Sequence, residues 1–250
     1  RFGHSDMEDL RAKAKEAKES GQYKKIMIIT DGVFSMDGDI AKLKEICDLA
    51  DKYEALVMVD DSHATGFLGM NGRGSIEHCD VMGRVDIITS TFGKALGGAV
   101  GGFISGRKEI IEALRQLSRP LLFSNALPPM VACATSKIFD ILQGNDGLEL
   151  MYNLMINTTY FRHKIEKIGF DIKGDAHPII PIMLGDNPQL AQDMSDELLE
   201  EGILAIAFSY PVVPRGQDRI RTQISAAHTR EHLNFALEKF EKVGKKLKII

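Results

Sequence analysis

Three short apolar runs, KKIMIIT (Lys24 to Thr30), ALVMVDD (Ala55 to Asp61) and VDIITSTF (Val85 to Phe92), each break into a stretch rich in polar and glycine residues. β-branched runs of this length, bounded by turn residues, read as buried strands. A helical pattern separates the first two. Leu43, Ile46 and Leu49 lie near helical spacing, and Asp39 is placed to cap that helix, which runs to about Tyr53. Strand, loop, helix and strand in repetition dictate an α/β domain with a mostly parallel sheet. Crossovers of this kind are right-handed, so successive strands share a direction. The loops after Thr30, Asp61 and Phe92 then fall along one edge of the sheet, outside the carboxyl ends of its strands. Open α/β sheets bind ligands there.

A charged, alanine-rich stretch from Asp6 to Ser20 reads as a surface helix, and VGGFISG (Val100 to Gly106) as a short fourth strand. Helices follow at Arg107 to Leu117 and Pro129 to Leu142. Past Gln143 the texture changes. A long helix (Leu148 to Lys167) leads to short strands near Phe170 and in HPIIPIML, GILAIAF and RIRTQIS, then to a helix from Arg230 to Lys246. The expectation is a large α/β domain over residues 1–143 and a smaller α+β domain over residues 144–250. The length of 250 residues permits that division. A net charge of −4 gives no pull toward nucleic acid or an anionic membrane surface. No apolar run reaches the length of a membrane span, and no signal-peptide pattern is visible. Cys47, Cys79 and Cys133 are scattered, with no paired spacing, which points to a reducing compartment such as the cytoplasm or, in a eukaryote, the mitochondrial matrix.

The chemistry concentrates at the strand ends. Lys94 follows the third strand and is surrounded by Ser90, Thr91, Gly93, Gly97 and Gly98. Lysines are mostly exposed, so a surface lysine is one reading and a nucleophile the other. Loops of this composition present N–H groups to a phosphate. A P-loop is excluded: no hydroxyl residue follows the lysine and no glycine stands at the required upstream spacing. The dinucleotide fingerprint fails too, since GGAVGG does not fit it. Asp60 ends the second strand on the same rim, where a lone carboxylate needs a partner. It reads either as a loop-stabilising residue or as the carboxylate that keeps a cofactor's ring nitrogen protonated. Pyridoxal 5'-phosphate needs both an acid of that kind and an amine for its aldehyde. His63 reads as structural or as a ligand to the ring oxygen. Asp60, Asp61 and His63 form only a weak metal pattern, since no further group with ligand spacing lies nearby.

VDDSHATGFLGMNGRGS, TSTFGKALGGAVGG, SRPLLFSNALPP and FSYPVVPRGQDRIRTQISAAHT, in this order, resemble the α-oxoamine synthases. These are fold-type-I pyridoxal-phosphate enzymes that condense an amino acid with an acyl-CoA, and the resemblance covers essentially the whole chain. It implies the aspartate-aminotransferase-like fold, with a large domain and a smaller C-terminal one. It implies that Lys94 makes the covalent bond to the cofactor and then transfers protons, that Asp60 pairs with the pyridinium nitrogen, and that His63 and Ser35 lie by the ring oxygen. Thr91 is implied to bind the phosphate, Ser124 and Asn125 to reach the phosphate of a neighbouring subunit in a homodimer, and Arg221 to clamp the substrate carboxylate with its planar fork. A two-fold dimer is also the commonest homo-oligomer. DDSHATGFLG, DGVFSMDGDIAKLKEIC and FSYPVVP lie nearest to members that use glycine and acetyl-CoA. Sister reactions use another amino acid or acyl-CoA and release CO2, and a non-catalytic dimer partner is a further alternative. Family members carry a segment ahead of the position of Arg1, with a glycine-rich phosphate-contacting turn and a ring-stacking residue. The chain is therefore expected to be a piece of a longer protein.

Overall fold

The computed structural model describes residues 1–97, 99–124 and 127–250. Its contacts divide them into two compact units, one of Arg1–Val33 with Ala41–Leu148 and one of Phe34–Ile40 with Glu149–Ile250. The division thus differs from a single cut after residue 143. It falls in the first turns of a helix, and one short segment from the N-terminal third belongs to the second unit.

The first unit begins with α1 (Met7–Glu19), whose first amides donate to Asp6, at 3.0 Å from Glu8 and 2.9 Å from Asp9. β1 (Ile26–Asp31), α2 (Leu43–Tyr53), β2 (Ala55–Asp60), α3 (Ser75–His78), β3 (Ile87–Thr91) and β4 (Gly102–Gly106) follow. The sheet order is β1-β2-β3-β4, with β1, β2 and β3 parallel. Leu43, Ile46, Cys47 and Leu49 of α2 are buried, as are Val57 and Val59 of β2 and Ile28 of β1. Each such aliphatic side chain contributes about 1.5–3 kcal/mol on leaving water. The α2 N-cap is Lys42, which makes no side-chain capping bond, so Asp39 is not the cap expected from its spacing. Asp39 lies three residues too early, in a turn where its carbonyl accepts from the Phe34 amide at 2.9 Å.

β4 runs antiparallel to β3, against the expectation of one shared direction. A parallel return needs a crossover of a dozen or more residues. Among its described residues the β3–β4 connection has no helix, and it is closed by backbone bonds from the Phe92 amide to Gly101 and from the Ala99 amide to Phe92. α4 (Lys108–Leu117), α5 (Arg119–Phe123) and α6 (Pro129–Leu142) complete this unit, and α7 (Asn145–Ile168) leaves it.

The second unit holds β5 (Ile179–Gly185), α8 (Pro188–Glu200), β6 (Ile206–Phe208), β7 (Asp218–Gln223) and α9 (Arg230–Lys246). Its sheet has the order β5-β7-β6 and is antiparallel throughout. Phe161 and Ile165 of α7, Met194 and Leu198 of α8, and Leu233 and Phe240 of α9 pack with Ile180, Ile182 and Ile220 of the sheet. Phe240 meets Phe161 and Phe170 edge-on, with ring centroids 6.2 Å away in both cases. Among the described residues no helix is long and apolar enough to cross a membrane. No disulfide joins the three cysteines.

Candidate active site

The parallel register lines up the ends of three strands. Asp31 pairs with Asp60, and Asp60 pairs with Thr89. The Asp60 carboxylate accepts from the Ser62 amide at 3.0 Å and from the Thr89 hydroxyl at 3.1 Å. Burial pushes its proton affinity up. The Ser62 and Thr89 hydrogen bonds and the Lys94 charge outweigh that and hold the carboxyl below the ordinary range. Asp60 is therefore ionised at neutral pH, as a partner of a cationic nitrogen must be. The neighbouring Asp31 carboxyl is held above the ordinary range, by burial first and then by the Asp60 charge, with Lys94 pulling the other way. Lys94 is thus electrostatically coupled to both acids.

Asp61, next in the chain, does something else. It is 1% exposed and accepts from the Ser75 hydroxyl, from the Ser75 amide at 3.2 Å and from the Thr65 hydroxyl at 3.2 Å. Its carbonyl accepts from the amides of Ala64 and Thr65, so the chain turns sharply at residues 61–65. His63 lies in that turn, half-buried. The Asp61 carboxyl is raised by burial, against the pull of the Ser75 and Thr65 bonds. One aspartate of the pair faces the rim and the other ties down the loop behind it. With Asp61 engaged by hydroxyls and an amide, the weak metal pattern loses a ligand. Among the described residues, no group of three or more His, Cys, Asp or Glu gathers to hold a metal ion.

Lys94 lies exposed in the turn after β3. Thr91 braces that turn: its hydroxyl donates to the Gly101 carbonyl at 3.2 Å and accepts from the Gly93 amide at 3.0 Å. Ser124 closes α5 and is exposed. Asn125, the other residue expected to reach a phosphate, lies outside the described residues.

Ser35 and Arg221 belong to the second unit. Arg221 sits on β7, half-buried, and its Nη2 donates to Gln223 at 3.0 Å. Its Nε is buried and has no hydrogen-bond partner among the described residues. Burial holds its proton affinity below the ordinary value, yet an arginine stays charged. A cavity of about 620 Å³ opens beside it, lined also by Phe208, His228, His232, Leu233 and Phe235. Burial, followed by the nearby His232, lowers the His228 proton affinity. A buried guanidinium N–H with no protein acceptor, beside open space, suits an incoming carboxylate.

The model of the aminotransferase class I and II family matches residues 2–240. The chain belongs to that family. It is 56% identical over all 250 residues to the 2-amino-3-ketobutyrate coenzyme A ligase of Escherichia coli K12 and covers 62% of that protein. It is 50% identical over 249 residues to the 8-amino-7-oxononanoate synthase of Fervidobacterium nodosum, again covering 62% of the relative. Among solved structures, a serine palmitoyltransferase from S. paucimobilis with a bound PLP–myriocin adduct matches over the whole chain. The TM-score is 0.91 at 31% identity, over 62% of that chain. The fold is that of the fold-type-I transferases, and the resemblance read from the motifs holds. The chain spans under two thirds of the length of these relatives.

Proposed function

We propose that this chain carries the catalytic rim of a pyridoxal-phosphate-dependent glycine C-acetyltransferase. The reaction joins glycine to acetyl-CoA, giving 2-amino-3-oxobutanoate and CoA, and runs in reverse during threonine breakdown. The observation that supports the reading is an ionised Asp60 at the sheet rim, hydrogen-bonded by Ser62 and Thr89 and held low also by the Lys94 charge. The residues present fit the cofactor. Asp60 supplies a fixed negative charge for a ring nitrogen, Lys94 an accessible amine and His63 a group for the ring oxygen. The cofactor supplies an aldehyde for the amine and a cationic ring that draws electrons from the substrate's Cα.

The chain's own residues then do the following. Asp60 keeps its proton-sharing partner cationic, because an adjacent opposite charge favours the charged form. Arg221 takes the glycine carboxylate through its Nε–H, which has no partner among the described residues. Lys94 would hold the cofactor's aldehyde through its amine and, as a neutral amine, would take the Cα proton. As the Cα–C bond to the acetyl carbonyl forms, the C–S bond breaks and the thiolate of CoA leaves. Ser124 is assigned to the phosphate site of a second copy in a homodimer.

A second reading is favoured by the 50% identity to an 8-amino-7-oxononanoate synthase: an amino acid other than glycine, a longer acyl-CoA and loss of CO2. Glycine, alanine and serine assayed against acetyl-CoA and longer acyl-CoAs, with CO2 trapped, separate the two. Turnover of glycine with acetyl-CoA without CO2 is expected. CO2 release matching CoA release sinks the first reading.

A further inference from the structure

Phe34–Ile40 leaves the first unit and returns to it, and the Ala41 amide donates to the Gly32 carbonyl at 2.9 Å to close its base. Between these ends it is built into the second unit. It turns back on itself, with the Gly38 amide donating to the Phe34 carbonyl at 2.8 Å. The Asp175 carboxylate accepts from the Ile40 amide at 2.7 Å. The strongest anchor is Arg219, which is 0% exposed. Its Nη1 donates to the Met36 carbonyl at 2.8 Å and to the Asp37 carboxylate at 2.7 Å. Its Nε and Nη2 donate to the Gln217 carbonyl at 2.9 Å and side chain at 3.0 Å.

A buried ion pair is weak evidence of stabilisation, because desolvation offsets most of the attraction; its best-attested use is to fix register. Here the thing held in register is the turn that contains Ser35. The residue that holds it stands two places before Arg221 on β7, and alternate residues of a strand leave the same face. We infer that Arg219 is a positioning residue: paired with Asp37, it staples the Ser35 turn to the strand that bears Arg221. Ser35 and Arg221 then meet the substrate as one preassembled set, although they are 186 positions apart in the sequence. The inference rests on the roles of Ser35 and Arg221 given above.

The test uses the holoenzyme with Arg219→Leu and Asp37→Leu combined, which removes both charges. The melting temperature is expected to stay within about 5 °C of the parent, since no uncompensated charge is left buried. Amide exchange across residues 34–40 should rise at least about tenfold. The KM for glycine should rise about tenfold, with kcat changed less than about threefold. Should the double variant fail to fold, Asp37→Asn carries the same readouts. Parent-like exchange at residues 34–40, or faster exchange with an unchanged KM, overturns the inference. A parent enzyme that ignores glycine overturns the function instead, and the staple then stands or falls on the exchange result alone.

Discussion

The loops that follow β2 and β3 lie along the same rim but are held in opposite ways. Behind β2, a buried carboxylate gathers the hydroxyl and amide of Ser75 and the hydroxyl of Thr65, and the loop from residue 61 to residue 75 is fixed from inside. Behind β3, the turn is closed by main-chain bonds and the Thr91 hydroxyl, and Lys94 stays exposed. On the proposed function, the contrast separates a group that must hold still from one that must move. An acid that keeps a ring nitrogen charged works best immobile, because preorganised charge requires no rearrangement during the reaction. An amine that makes, breaks and remakes a bond needs room to swing.

The largest effect expected from breaking this contrast comes from Lys94→Ala. Activity should fall by at least about 10³-fold, with the base and nucleophile gone together. Intact mass after borohydride reduction should show no cofactor adduct. An adduct retained by the variant would put the tether elsewhere.

Next come two glycine substitutions. Gly74 has φ +90°, and a Cβ there would overlap the Asp61 carboxylate. Gly97 has φ +106°, but among the described residues a Cβ there would meet only Ile138, at 3.6 Å. Gly74→Ala should therefore cost about 2–4 kcal/mol, strain plus a disturbed buried network, and Gly97→Ala about 1–2 kcal/mol from strain alone. Urea unfolding measures both. Equal costs would mean that the two loops are held alike.

The smallest effect is a pH slope. The Asp60 carboxyl is lowered in the folded chain, so its contribution is present above the ordinary carboxylate pKa and fades as pH falls through the lowered value. Asp61 is raised, so it does the reverse: stability declines as pH rises from the ordinary value toward the raised one. Below about pH 4, Asp60→Asn should make the slope of stability against pH less positive, and above about pH 4 Asp61→Asn should make it less negative. Unfolding midpoints across both ranges check the sign. Slopes changed in the same direction by both variants would contradict the contrast.

Much of this was legible in the sequence, for a definite reason. Runs such as ALVMVDD carry their own period, and topology alone sends their ends to one rim, so Asp60 and Lys94 could be placed together. Features made by long-range contact left no such trace. Asp61 reads like its neighbour until Ser75 folds back onto it. Arg219 and Asp37 are ordinary charged residues until 182 positions of chain bring them together. α8 was there to be read: Asn187 caps it, Pro188 opens it, and Ala191, Met194 and Leu198 bury one face. The direction of β4 could also have been inferred, since its connection to β3 is too short for a crossover.

The excursion of Phe34–Ile40 sets a limit on dissection and an order on biosynthesis. A ribosome delivers that segment more than a hundred residues before the helices and strands that receive it, so the nascent first unit carries an unseated insert until synthesis is nearly complete. No single cut yields two self-sufficient pieces. A C-terminal piece starting near residue 149 would lack the turn that Arg219 is built to grip.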